Sequence, residues 1–190
     1  MHRRNLNNYA QIDKYQVDFT QKLGEGGMAS VYLGYYAPGY GDPQTLFAVK
    51  QIPINAKFEV TDSLLQEINL LRKLHHPYIV RFIDARKSLD FMYLIMEYCN
   101  EGTLESLILN KRYDMSEETL MKLFTQIVIA LKCLQDKKII HRDIKPKNIL
   151  LHNGKVKIAD FGVAKMIDKH KENISFSGTV PFMSPQIIRQ

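Results

Sequence analysis

Two short stretches place a carboxylate, a cation and two oxygen ligands at close spacing: His141-Arg142-Asp143-Ile144-Lys145-Pro146-Lys147-Asn148-Ile149-Leu150, and then Asp160-Phe161-Gly162. Phosphoryl transfer needs a carboxylate to orient the accepting hydroxyl, a cation beside the transferring phosphate, and oxygen ligands for magnesium. Asp143, Lys145, and the pair Asn148 and Asp160 supply these in that order.

A second group of candidates lies earlier in the chain. Leu23 leads into Gly24-Glu25-Gly26-Gly27-Met28-Ala29-Ser30-Val31, where glycines let backbone N–H groups approach a phosphate. A dinucleotide-binding loop would pass into a helix, whereas Val31-Tyr32-Leu33 continues as a strand. That leaves a phosphate-covering loop or an ordinary hairpin turn. No Lys-Ser/Thr pair follows the glycines, which argues against a Walker-type ATPase. Lys50 ends an Ala48-Val49-Lys50 strand, and the next helix carries Glu67 on a face with Leu71 and Leu74. The two charges are either an ion pair that aims the lysine at phosphates or solvated surface groups.

These residues need elements to hold them. Residues 1–18 are polar and read as an extension lying on or trailing from the domain. Strands are expected at 19–23, 31–33, 46–52, 79–82 and 92–97, with a helix between the third and fourth, capped by Thr61 or Asp62 and carrying Leu64, Leu65, Ile68, Leu71 and Leu74. Cys99-Asn100-Glu101-Gly102 is a polar link to a more helical part. Ser116 with Glu117 and Glu118 opens a long helix whose Leu120, Leu123, Phe124, Ile127, Leu131 and Leu134 share a face. A small hairpin turns at Asn153-Gly154, between the two chemical stretches.

The 190 residues carry 26 Lys and Arg against 20 Asp and Glu, scattered without a polybasic block, so a nucleic-acid partner is not expected. Cys99 and Cys133 lack metal-ligand spacing and read as reduced thiols. Neither a signal peptide nor a spanning helix is apparent, and cytosol or nucleus is the expected location.

Together the ordered motifs resemble the eukaryotic protein kinase family from about Phe19 onward. The resemblance implies an α+β, two-lobed fold: an antiparallel β-sheet lobe with one helix at 19–99, and a partial, mostly helical lobe at 100–190. It implies ATP and Mg2+ as cofactors and a protein substrate presenting Ser or Thr. Asp143 would be the catalytic base, Lys145 would steady the γ-phosphate, Asn148 and Asp160 would hold magnesium, and Lys50, paired with Glu67, would bind the α- and β-phosphates. Residues 23–31 would cover the phosphates. Val31, Ala48 and Leu150 would sandwich adenine, Glu97 and Cys99 would bond it through their main chains, and Met96 would limit the back of the pocket. Leu71, Phe82, His141 and Phe161 match an apolar spine of the family, which makes His141 a packing residue.

Lys145 and the Gly178-Thr179 pair resemble the serine/threonine branch, with a NIMA-related or autophagy-kinase flavour, and Thr179 would bond Asp143 and Lys145. Arg142 ahead of Asp143 implies control by phosphorylation of the following loop, at Ser175 or alternatively Ser177. Two positions depart from the family pattern. Ala29 replaces a loop glycine, and Gln186 stands where a glutamate is usual. The chain reads as a kinase domain that stops after the activation segment, so apolar surface is expected to be exposed on the long helix. The alternative function is a nucleotide-binding scaffold without catalysis.

Overall fold

The computed structural model describes residues 8–26, 29–54, 62–110, 116–166 and 178–188. Contacts divide the chain into two compact units, one holding the residues up to Asp62 with Phe82–Tyr98, the other Ser63–Arg81 with the residues from Cys99 onward.

The first unit is a six-stranded antiparallel sheet of β1 (Tyr9–Ile12), β2 (Tyr15–Glu25), β3 (Ser30–Tyr36), β4 (Leu46–Pro53), β5 (Phe82–Lys87) and β6 (Phe91–Glu97), ordered β1-β2-β3-β4-β6-β5. Strand alternation sends every second side chain to one face. Tyr15 and Val17, Phe47 and Val49, and Tyr93 and Ile95 form one buried cluster there. Ala48 and Lys50 fall on the other face of β4. Register sets Ala48 opposite Met96 and Leu33, and Lys50 opposite Leu94 and Val31.

Two elements differ from the sequence reading. Residues 9–18 are strands of the sheet, because Tyr15 and Val17 reach its core and Asp18, also buried, accepts hydrogen bonds from the backbone N–H and hydroxyl of Thr20. The strand expected at 79–82 starts only at Phe82. Ile79 instead makes a single parallel bridge to Ile158.

The second unit carries most of α1 (Asp62–Arg72), then α2 (Leu104–Leu109), α3 (Glu117–Asp136), β7 (Ile139–Ile140), β8 (Ile149–His152), β9 (Lys155–Ile158), β10 (Lys165–Met166) and α4 (Pro185–Ile188). Ser116 caps α3 by accepting the Thr119 N–H, and Glu117 and Glu118 complement its positive end. The buried residues of α3 are Leu123, Gln126, Ala130 and Leu134. Leu120 and Phe124, expected on that face, are exposed together with Met121, Val128 and Ile129, so the apolar stripe is wider than the surface the described residues cover. On α1, Leu64, Ile68 and Leu71 are buried as expected, but Leu65 is exposed. No helix among the described residues is long and apolar enough to cross a membrane.

The β8–β9 hairpin separates Asn148 from Asp160 and is gripped from three sides. Its turn is Asn153-Gly154, both with positive φ (50° and 69°), a backbone that suits Asn-Gly. Residues 78–80 run along β9 through Val80 N–H to Ile158 O and Ile158 N–H to Tyr78 O, both 2.9 Å. Residues 100–102 run along β8, with Asn100 bonded to His152 and Asn153 and Glu101 accepting the Gly154 N–H. From α3, the Gln126 Oε1 accepts the buried Val156 N–H at 2.8 Å.

Candidate active site

The hairpin does what the spacing of the motifs required. With Ile149 opposite Ile158, Asn148 and Ala159 become neighbours, and the Ala159 N–H donates to Asn148 O at 2.9 Å. Asn148 and Asp160 are thereby brought to one end of the ladder. Asp160 is exposed and has φ +61°, an unusual backbone for a residue with a side chain.

Asp143 is the hub. Its Oδ1 accepts the Thr179 N–H at 3.0 Å and the Thr179 hydroxyl at 2.6 Å, while its Oδ2 accepts Asn148 Nδ2 and Lys145 Nζ, both at 2.8 Å. Lys145 Nζ also donates to Thr179 Oγ1 at 2.6 Å. Asn148 Nδ2 reaches the Asp143 carbonyl as well, at 2.9 Å, which leaves Oδ1 as the asparagine atom able to ligate a cation. The Asp143 side chain is 12% exposed and that of Lys145 20%, so the pair is only weakly screened. Burial pushes the Asp143 carboxyl up, but hydrogen bonds from Lys145, Thr179 and Asn148 and the Lys145 charge outweigh it and hold the group below its ordinary 3.8. Asp143 is therefore ionised at neutral pH, a carboxylate able to accept a hydrogen bond from a hydroxyl.

His141 ties the loop to the segment before Asp160. Its Nδ1 accepts the Asp143 N–H at 3.3 Å, its Nε2 bonds the Ala159 carbonyl at 3.0 Å, and its ring meets Phe161 edge-on at 4.7 Å. Only the neutral imidazole with its proton on Nε2 makes both bonds. Burial lowers the His141 pKa from 6.5 despite the Ala159 carbonyl and the charges of Asp160 and Asp143. A depressed imidazole contributes stability that is complete above its unfolded value and is lost as pH falls toward its folded value. Unfolding in urea is therefore expected to become easier between about pH 7 and about pH 5, in part through His76, which burial and Lys157 also depress. A His141→Asn chain should show a flatter dependence in that window, and identical slopes would refute the assignment. Asp143 acts elsewhere, its contribution being present above 3.8 and lost as pH falls through its lower folded value.

Arg142 has φ +68°, and its Nε donates to Val163 O. Leu71, His141 and Phe161 of the expected spine are buried in the second unit, while Phe82 lies on β5 of the first. In the first unit, Leu23, Gly24, Glu25 and Gly26 close β2, Ala29 and Ser30 lead into β3 with Val31, Ala48 and Lys50 lie on β4, and Met96 and Glu97 end β6. Glu67 on α1, Cys99 in the link and Leu150 on β8 belong to the second unit. Gly27, Met28, Ser175 and Ser177 lie outside the described residues. The described residues hold no group of three or more His, Cys, Asp and Glu able to bind a metal. Magnesium needs no such cage, since one or two protein oxygens with phosphates and water suffice.

Sequence reasoning missed Gln126, whose position between Leu123 and Ala130 on the buried stripe marks a polar residue that must have a partner inside.

A profile described as protein kinase domain matches residues 17–190. The chain is similar to mitogen-activated protein kinase kinase kinase 1a of Physcomitrium patens, 37% identical over 171 residues, which is 87% of this chain and 22% of that protein. It is similar to serine/threonine-protein kinase ATG1a of Arabidopsis thaliana, 35% identical over 173 residues, 88% of this chain and 27% of that protein. It also resembles serine/threonine-protein kinase nekl-2 of Caenorhabditis elegans, 38% identical over 136 residues, 66% of this chain and 38% of that protein. The chain spans well under half the length of these relatives. It belongs to the protein kinase domain family.

Proposed function

We propose that this chain carries the ATP- and Mg2+-dependent transfer of a phosphoryl group to Ser or Thr hydroxyls of proteins. The observation that supports it most is the Asp143 carboxylate, ionised and held at both oxygens by Lys145, Asn148 and Thr179. Asp143 orients the accepting hydroxyl and takes its proton. Lys145 neutralises charge on the transferring phosphate, a role supported by its contact with Asp143. Asn148 Oδ1 and the Asp160 carboxylate are the oxygens that would hold magnesium, and Lys50 the cation for the other phosphates. The bound metal supplies charge neutralisation across the phosphates. Ser175, or alternatively Ser177, is the proposed regulatory position, with Arg142 as the cation a phosphate there would meet.

The test is incubation with ATP labelled on its terminal phosphate, magnesium and a mixed protein substrate, followed by phosphoamino-acid analysis. Label in phosphoserine or phosphothreonine is expected. Label in phosphotyrosine alone would remove the serine/threonine assignment, and retained ATP binding without any transfer would favour a nucleotide-binding scaffold.

A further inference from the structure

We infer that Gly178 is a positioning residue for this reaction, because only a residue without a side chain lets the chain close on the Arg142 carbonyl and set Thr179 against Asp143. The inference rests on the proposed role of Asp143. Gly178 has φ +121°, which L side chains rarely adopt, and a Cβ built there would stand 2.2 Å from Arg142 O and 3.4 Å from Arg142 C. Both are backbone atoms that cannot swing aside. Arg142 is fixed by its own φ of +68°, by the bond from its Nε to Val163 O, and by the next residue being Asp143.

None of Gly24, Gly26, Gly34, Gly39, Gly41, Gly102 and Gly154 approaches backbone so closely. Gly24, Gly39 and Gly154 would meet nothing within 4 Å, and at Gly41 the three nearest atoms all belong to the Tyr36 ring. At Gly34 the nearest backbone atom, Gln16 O, is 3.0 Å away. Relief of the contact at Gly178 needs a shift of about 1 Å, enough to take Thr179 N and Oγ1 beyond hydrogen-bond range of Asp143 Oδ1. Lys145 would then lose its second acceptor and Asp143 two of its donors, with Asn148 untouched.

The expected consequence of Gly178→Ala is a fall in kcat of about 10–100-fold with ATP affinity retained, as for a displacement of about an ångström at the reacting centre. The double variant with Thr179→Ala should be no worse than Thr179→Ala alone, since both remove the same contact. Independently of turnover, amide hydrogen exchange at Thr179 should quicken in Gly178→Ala while that of Asn148 and Ala159 is unchanged. Wild-type exchange and kcat in Gly178→Ala, or additive losses in the double variant, would overturn the inference. Loss of far-UV circular dichroism in Gly178→Ala would also overturn it, by making the glycine a requirement of folding. Should the wild-type chain transfer no phosphate, the proposed function fails and the exchange comparison still decides the role of Gly178.

Discussion

Asp143→Asn should lower kcat for phosphoryl transfer by about a thousandfold, with ATP affinity changed by less than about threefold, since general-base and electrostatic contributions at a preorganised site are of this order. The substitution is isosteric but not benign. Both carboxylate oxygens accept, Oδ1 from two groups of Thr179 and Oδ2 from Asn148 and Lys145. With its NH2 at the Oδ2 position an asparagine faces two donors, and with its NH2 at the Oδ1 position it faces the Thr179 N–H, so bonding is lost in either orientation and Lys145 loses its counter-charge. Asp143→Ala removes the acceptor without presenting new donors, so it should lose a comparable rate and less structure. Transfer of labelled phosphate by both variants, with ATP binding measured by calorimetry, checks this. Either variant retaining a tenth or more of the wild-type rate would refute the role of Asp143.

The site was legible because its chemistry is local in sequence. Asp143, Lys145 and Asn148 lie on one short loop, and the hairpin that returns the chain to Asp160 announces itself through Asn153-Gly154 between two apolar runs. Thr179 was reached only through family resemblance, since nothing in its surroundings in sequence shows that it lands on a carboxylate 36 residues away. Helix α3 was legible as a helix but not in its facing. Its apolar residues span more than one stripe, and which of them is buried depends on what packs there, here β9 and the Val156 N–H that Gln126 receives. The amino-terminal strands were the least legible. Tyr15 and Val17 do alternate, but Asp84, the partner that holds the Tyr15 hydroxyl, is on β5, and no local pattern predicts a contact over 69 residues.

Tyr15→Ala is accordingly expected to be the most destabilising single change in the first unit, lowering unfolding free energy by about 3–5 kcal/mol as for other large aromatic truncations in a core. Tyr15 is 1% exposed. Its ring meets Phe47 edge-on at 5.4 Å and stacks on Tyr36 at 5.8 Å, so truncation opens a void bounded by two further aromatic rings. Its hydroxyl donates to Asp84 Oδ2 at 3.0 Å, and burial together with Asp84 pushes the phenol pKa up, so it stays a donor across the working pH range. Tyr15→Phe separates the two contributions. It keeps the packing and leaves Asp84 with Arg86 at 2.5 Å and Lys14 at 3.9 Å, so it should cost only about 1–2 kcal/mol. Urea unfolding followed by far-UV circular dichroism reads both. The same cluster joins the β1–β2 turn to β5, through Asp13 to Arg86 at 2.7 Å as well as Tyr15 to Asp84, and β1 and β5 are the two edges of the sheet. If residues 9–18 merely lay on the domain, Tyr15→Ala would leave the unfolding midpoint where Tyr15→Phe leaves it. A wide separation of the two midpoints is what a strand built into the core requires.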